Sequence, residues 1–420
     1  VPNDQPRTLL ANLVNDVMIE SPPPRDYARA MAAVTPRKLW LAGAGDCVVT
    51  LAPCSNAFRD YVADITGVAP SDIDLVAPSE LAPDHACEVL SRLDATDRAT
   101  ARPMLVPFVI DRPVVELARH GGVQICGYQG VPSTTTLAAI RWMNTKAGFR
   151  AVAAELGLAV PQGGFAYSES SLLRRLRLFL NDHEAAIVKR GRSSNGYGTF
   201  VVTADERATL AERVHQAVGG QPVGPCGWVY EEFLPFAAAP SLEMLSDDHG
   251  VQDFYLCDQR TRDNAWTGMI TPASFAPQLT VASTRFAAAA HRIGQWLHQH
   301  GYRGFFDVDG GLVGDGYVVT EANVRRTGGT YLEQLARKLF PGTAVYWRAD
   351  ARTGTSSLSF HEALRRIDSA GLGDENADAR AVLIVDTLAV DGKWRYLVAG
   401  RTAGAVAAVE HEVIDLLRIS

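Results

Sequence analysis

Lysine is scarce. Only Lys38, Lys146, Lys189, Lys338 and Lys393 occur among 40 basic residues; the rest are arginine. With so much alanine, this bias reads as genome base composition, yet it makes each lysine worth inspecting. Metal-type cysteine spacing is also missing. Cys47, Cys54, Cys87, Cys126, Cys226 and Cys257 form no C-x-x-C pair and are irregularly spaced. That argues against both a zinc site and a disulfide scaffold, and predicts reduced thiols in a cytoplasmic protein. A single nucleophilic cysteine stays open, although no histidine partner is placed beside one. His298 and His300 form an H-x-H pair whose members point apart on a helix.

Long apolar runs are absent. Met104 to Ile110 falls far below the roughly 18 residues that span a bilayer, so no membrane partner is expected. The first twenty residues carry Asn, Asp, Gln and Arg without an unbroken apolar core, and no secretory leader is expected there. A net charge of -7 argues against a general nucleic-acid binder. What is present is a 47% hydrophobic share over 420 residues, enough for two or three packed domains at about 150 residues each and too much for a disordered chain.

Short apolar runs alternate with helical patterns through residues 35 to 140. Lys38 to Leu41, Asp74 to Val76, Met104 to Ile110 and Val123 to Cys126 read as strands. Asn56 to Thr66 and Ala86 to Leu93 read as helices, and the alternation predicts a largely parallel sheet. Gly43-Ala44-Gly45-Asp46 lacks the third glycine of a dinucleotide loop and reads as an ordinary turn. Helices are expected from Ser133 or Thr134, over Lys146 to Leu156, and over Ser283 to His300. Further helices are expected at Thr330 to Leu339, His361 to Ile367 and Val406 to Leu417. A late hairpin would turn at Asp391-Gly392, and Ala370 to Asp378 reads as a linker.

The stretch Gly304-Phe-Phe-Asp307-Val-Asp309 through Glu321-Ala-Asn323 reads as a hairpin. A turn centred near Gly314 predicts Asp307 opposite Glu321, with Asp309 and Asn323 on the same face. Opposed carboxylates repel unless a cation lies between them, and Mg²⁺ suits such ligands when phosphates complete its shell. The competing reading is a solvated hairpin face.

A second stretch, Ala186-Ile-Val-Lys189-Arg190-Gly-Arg-Ser193-Ser194-Asn195-Gly196-Tyr197-Gly198, places a cation before a small-residue loop. Backbone N–H groups of such a loop can approach an anion closely, and lysine adds a point charge for phosphate. A plain hairpin turning at Asn195-Gly196 competes with that reading. Lys146 at a helix start opposes the helix dipole, which an anionic partner would offset. Trp228-Val-Tyr230-Glu231-Glu232-Phe233-Leu234-Pro235 reads as a strand halted by proline.

The order of these pieces over residues 133 to about 343 resembles the ATP-grasp carboxylate–amine ligases, and the whole-chain layout looks most like the pheganomycin-type peptide ligases. The resemblance implies an α/β and α+β fold: a Rossmann-like pre-ATP-grasp domain (1–132), two ATP-grasp lobes (133–235 and 236–345) and a small C-terminal α+β extension (346–420). It implies ATP and two Mg²⁺ ions as cofactors. Lys146 and Lys189 would bind phosphates, and the loop from Ser193 and Ser194 through Gly196 to Gly198 would close over them. Glu231 and Leu234 would meet adenine through backbone groups, with Glu232 and Phe233 alongside. Glu243 is the one candidate for the ribose. Asp307, Glu321 and Asn323 would hold the metal, and Arg325 (or Arg326) would face the γ-phosphate and an acyl phosphate. Arg260 and Arg262 would orient a substrate carboxylate or lie solvated.

The implied reaction joins a carboxylic acid, such as a guanidino-bearing amino acid, to an amine or peptide, releasing ADP and phosphate. A kinase on the same scaffold, or a non-catalytic ATP-binding protein, are the alternatives. A homodimer is a family-level expectation.

Overall fold

The computed structural model describes residues 5–20, 22–83, 86–91, 104–219, 224–262, 265–354 and 357–419. Its first layer is a parallel sheet of β1 (Arg7–Leu10), β2 (Cys47–Val49), β3 (Asp74–Val76), β4 (Met104–Pro107) and β5 (Gln124–Ile125), in the order β3-β2-β1-β4-β5. All four pairings are parallel. The strands are short and mostly buried, as crossover helices on both faces require. Lys38 to Leu41 is not a strand: Thr35–Leu41 forms a 3-10 helix, with Pro36 starting its first turn. The predicted helix over Ala86 to Leu93 is helical across Ala86–Ser91, and positions 92 and 93 lie outside the described residues.

The second layer is a small antiparallel sheet. It contains β6 (Gly163–Ala166), β7 (Ala185–Arg190), β8 (Phe200–Thr203) and β9 (Trp228–Glu232), in the order β6-β9-β7-β8. Two helices lead into it, Thr134–Met143 and Lys146–Glu155. Ser133 caps the first and Thr145 the second, each hydroxyl accepting from a backbone N–H of the opening turn.

The third layer is an eight-stranded antiparallel sheet. Its strands are β10 (Pro240–Asp247), β11 (Gly250–Arg262), β12 (Ala265–Thr271), β13 (Gly304–Val313), β14 (Gly316–Asn323), β15 (Tyr346–Thr353), β16 (Ala379–Leu383) and β17 (Lys393–Gly400), in the order β14-β13-β10-β11-β12-β15-β17-β16. This corrects the expected boundary at residue 346. β15 pairs with β12 through Met269 opposite Ala349, so the C-terminal segment completes the large sheet and is not a separate extension. The late hairpin exists as β16 and β17, but its connection is longer than the expected two-residue turn. It includes a short helix, Leu388–Asp391, whose C-cap is left-handed Gly392.

One apolar core joins the first layer to the third. Trp40 is fully buried, and its indole N–H donates to the Ile384 carbonyl at 2.8 Å. It packs with Leu39, Tyr331, Leu335 and Trp347. Burial of this kind stabilises by roughly 1.5–3 kcal/mol per large side chain, so the N-terminal layer is anchored to the sheet that carries the carboxylate hairpin.

Candidate functional site

The hairpin β13–β14 turns at Gly314-Asp315, with Val313 opposite Gly316. The ladder then slips by one residue between Asp309 and Gly310. Turn and bulge together move the pairing two positions from the expected one. Asp309 lies opposite Glu321, and Asp307 lies opposite Asn323. The expected Asp307–Glu321 pair is therefore corrected, and Asp309 is the carboxylate that faces Glu321. On the neighbouring strand β10, Ser241 pairs with Asp309 and Glu243 with Asp307.

Asp309 is held in place by amides: Asn323 Nδ2 donates to its Oδ2 at 3.1 Å and Gln259 Nε2 to its Oδ1 at 2.6 Å. Burial, then the nearby Glu321 charge, pushes the Asp309 carboxyl up to about 6. Burial, then the Asp309 charge, holds the Asp307 carboxyl well above its ordinary value, and its Oδ1 is a buried acceptor without a hydrogen-bond partner. Arg325 is buried beside this face. Its Nη2 donates to Asn323 Oδ1 at 2.6 Å and its Nη1 to Asn144 Oδ1 at 2.7 Å.

Lys146 joins the lobes. Its ammonium donates to Glu321 Oε1 at 2.7 Å across 175 residues of sequence, while its backbone N–H donates to the Gly191 carbonyl at 2.8 Å. Lys189 on β7 donates to Glu231 Oε2 at 2.7 Å, and Arg150 donates to Glu231 Oε1 at 2.7 Å. Burial opposes the Glu231 charge, but Lys189, Arg150 and Lys146 outweigh it and hold the carboxyl below its ordinary value. Lys146 thus acts electrostatically on both carboxylates and links the two halves of the site. Arg150 was missed in the sequence, although it sits four residues after Lys146 on the same helical face.

Glu231 is in the central strand of the small sheet, opposite Gly163 on one side and Ile187 on the other. Its backbone runs inside the ladder, and its carboxylate is what faces Lys189 and Arg150. Glu232 ends the strand, its N–H donating to the Gln162 carbonyl at 2.8 Å. Beyond it, Phe233 is exposed and Leu234 half-buried.

The small-residue loop between β7 and β8 needs left-handed backbone at Asn195, Gly196 and Gly198, with φ of 55°, 72° and 69°. It is seated on the N-terminal helix Arg25–Ala33. Tyr27 Oη and Ser194 Oγ lie 2.5 Å apart, the Tyr27 and Tyr197 rings meet edge-on at 5.7 Å, and Asn195 Nδ2 donates to Met31 Sδ at 3.4 Å. Ser193 and Ser194 are buried there.

Glu243 is corrected as the ribose candidate. It is fully buried, and its carboxylate accepts from Tyr255 Oη at 2.7 Å, Thr327 Oγ1 at 2.6 Å and Thr330 Oγ1. Thr327 caps the helix Gly328–Leu339, so Glu243 ties that helix end to β10. Arg260 is likewise committed, to both oxygens of Glu410 and to Asp350 at 3.4 Å, which leaves it no role with a substrate carboxylate. Arg262 is exposed at the end of β11. His298 contacts Ser246 Oγ, and His300 stacks on Trp296, so they form no shared site. None of the six cysteines is in a disulfide.

Among the described residues, no three His, Cys, Asp or Glu side chains converge on one point. What does converge is an opposed carboxylate pair with an amide beside it, Asp309, Glu321 and Asn323. An excess of negative charge and an orphaned acceptor at Asp307 accompany it. These oxygens fit a magnesium ion whose shell is completed by phosphate. Among the described residues, no helix is long and apolar enough to cross a membrane.

Comparison with known proteins agrees with this architecture. Residues 35–123 match the Pre ATP-grasp domain family model. No curated protein matches the sequence. The chain resembles the biotin carboxylase of Campylobacter jejuni, solved as a β-γ-ATP complex, with 14% identity, a TM-score of 0.63, and coverage of 99% of this chain and 92% of that one. It resembles the biotin carboxylase domain of the Hydrogenobacter thermophilus 2-oxoglutarate carboxylase, solved with MgADP, ADP and bicarbonate, with 12% identity, a TM-score of 0.61, and coverage of 99% and 91%. It also resembles the N5-carboxyaminoimidazole synthase of Aspergillus clavatus, solved with ADP and 5-aminoimidazole ribonucleotide, with 14% identity, a TM-score of 0.60, and coverage of 99% of each chain. The fold is the mixed α/β architecture of ATP-grasp proteins with a pre-ATP-grasp domain.

Proposed function

We propose that the protein is an ADP-forming, ATP-dependent ligase that joins a carboxylic acid to an amine. The observation that carries this reading is the charge arrangement around Lys146. One lysine reaches a carboxylate hairpin, a second lysine is held by Glu231, and Arg325 is fixed to Asn323. Such a set suits a polyphosphate, because phosphoryl transfer asks the protein chiefly to align groups and neutralise oxygens.

In this reading Lys146 and Lys189 bind the ATP phosphates. Glu232, Phe233 and Leu234 line the adenine end. Asp307, Glu321 and Asn323, with Asp309 beside them, would hold Mg²⁺, which supplies charge neutralisation on the phosphate oxygens when bound. Arg325 orients the γ-phosphate for attack by the substrate carboxylate. That attack forms an O–P bond, releases ADP and leaves an acyl phosphate. The amine then attacks the activated carbonyl, phosphate departs, and the amine loses a proton as the amide forms. The loop from Ser193 to Gly198 excludes water that would hydrolyse the acyl phosphate. An amino acid as the acid and a peptide as the amine is the finer form of the proposal, supported by the layout resemblance to pheganomycin-type ligases.

The test is phosphate release from ATP and Mg²⁺ over a panel of carboxylic acids and amines, with product mass measured. Phosphate that appears only when both an acid and an amine are present is the expected result. ADP formation with phosphate retained on a hydroxyl compound would replace the ligase by a kinase.

A further inference from the structure

A second cluster of charge, around Lys38 and Arg326, takes no part in the reaction proposed above. Lys38 is 3% exposed, and its ammonium has no hydrogen-bond acceptor among the described residues. It sits 4.5 Å from the centre of the Phe108 ring and 5.6 Å from that of Tyr331. Arg326 shares a small cavity with it, lined also by Leu9, Leu10, Val106 and Phe108. The Arg326 guanidinium lies over Phe305 at 4.6 Å, and its backbone N–H donates to the Phe108 carbonyl at 3.0 Å. Arg37 lies alongside, over the Tyr331 ring at 4.9 Å. Burial, then the charges of Arg37 and Arg326, pushes the Lys38 ammonium well below its ordinary value. The one carboxylate among its main electrostatic neighbours, Glu243, is already bound by three hydroxyls. An unpaired ammonium in an apolar site is costly, and an anion placed beside it would offset that cost.

The place matters as much as the charge. In the order β3-β2-β1-β4-β5 the chain runs outward from β1 in one direction and then returns to β4 on its other side. The cavity lies at the carboxyl ends of those two strands, against Leu10 and Phe108. Open parallel sheets bind ligands at this switch point. Arg325 and Arg326 diverge there, the first toward Asn323 and Asn144, the second toward Phe305 and Lys38.

We propose that Lys38 and Arg326 form a carboxylate-recognition subsite, which takes a substrate carboxylate other than the one that is phosphorylated. This rests on the ligase reading above. The carboxylate is either a second one on the acid or the free C-terminal carboxylate of the amine; the chemistry recognised is the same. Lysine supplies a point charge and arginine a planar donor pair, which together suit a flat oxyanion. The ring faces of Phe108 and Tyr331 keep Lys38 in place until the anion arrives.

Saturation-transfer NMR on the full chain, with and without Mg²⁺ and a non-hydrolysable ATP analogue, tests this. The probes are glutarate against glutaramate, glycylglycine against glycylglycinamide, and inorganic phosphate. The expected result is that one carboxylate probe binds at least tenfold more tightly than its amide, and that Lys38→Met abolishes the preference. Preference for glutarate assigns the acid as its source, and preference for glycylglycine assigns the amine. Arg326→Lys, which keeps a cation, should retain part of the preference and serves as the second variant should Lys38→Met fold poorly. No preference in the wild type, an undiminished preference in both variants, or displacement by phosphate alone overturns the proposal. Nucleotide affinity, measured in parallel, should be unchanged in Lys38→Met. Failure of the nucleotide to bind the wild type would remove the ligase reading while leaving the carboxylate result standing.

Discussion

Two carboxylate sites share the influence of Lys146 and are built on opposite electrostatic plans. Glu231 is saturated: Lys189 and Arg150 each donate to one of its oxygens. The hairpin face is not, for Asp307, Asp309 and Glu321 share one lysine and a nearby arginine, and Asp307 keeps an orphaned oxygen. Within a fold, a saturated carboxylate is a positioning device, because it fixes where a cation points. An under-neutralised face is a binding device, because it is stable only when more positive charge arrives. On the proposed function, Glu231 aims Lys189 and the hairpin holds the metal.

The sharpest way to break this comparison is Glu321→Ala. Loss of a metal-holding carboxylate should lower ligation by more than ~100-fold while leaving the fold intact, read as initial rate at limiting Mg²⁺ alongside circular dichroism. Wild-type rates would move the metal elsewhere. Next comes Lys189→Ala. ATP affinity should fall by roughly tenfold or more in calorimetry, and stability by about 1–3 kcal/mol, because one Glu231 oxygen is left buried without a donor. Unchanged affinity would count against a phosphate role.

A smaller effect is expected from acid. Glu231 is held below its ordinary value of 4.5, so it binds fewer protons folded than unfolded. Its contribution is present above that value and is lost as pH falls through the lower, folded one. Glu231→Gln should therefore flatten the acid limb of the stability curve, measured by thermal melts from pH 6 to pH 3. An acid limb of equal steepness in the variant would contradict the assignment. The smallest change is Tyr27→Phe, which removes one hydroxyl contact to the loop at Ser194. It should cost about 1 kcal/mol or less and increase proteolytic cleavage between residues 193 and 198. Identical cleavage would mean that the contact does not seat the loop.

Much of this was legible in one dimension. The order of Lys146, Lys189, the loop, Glu231, Asp307, Glu321 and Asn323 is a chain property, and alternation put the hairpin carboxylates on one face. Register was not legible to the residue: Gly310-Gly311 hints at a bulge beside Asp309, but nothing local gives its size or which strand carries it. A one-residue slip in a ladder changes every opposite partner. Arg150 could have been found from helical spacing, whereas Gln259 and Tyr27 reach their partners across 50 and 167 residues and carry no local signal. Thr35–Leu41 misled because its apolar run is buried as a 3-10 helix against Tyr331 and Trp347, a choice made by packing and not by propensity. The last 75 residues looked separate for the same reason: strand partners such as Met269 and Ala349 lie far apart in sequence.

The central claim is that Asp309 and Glu321 form the magnesium end of an ATP site. Calorimetric titration of ATP, with and without Mg²⁺, into the wild type, Asp309→Asn and Glu321→Gln tests it most directly. The account predicts magnesium-dependent binding in the wild type and loss of that dependence in both variants. Equal magnesium-dependent affinity in all three proteins would contradict it.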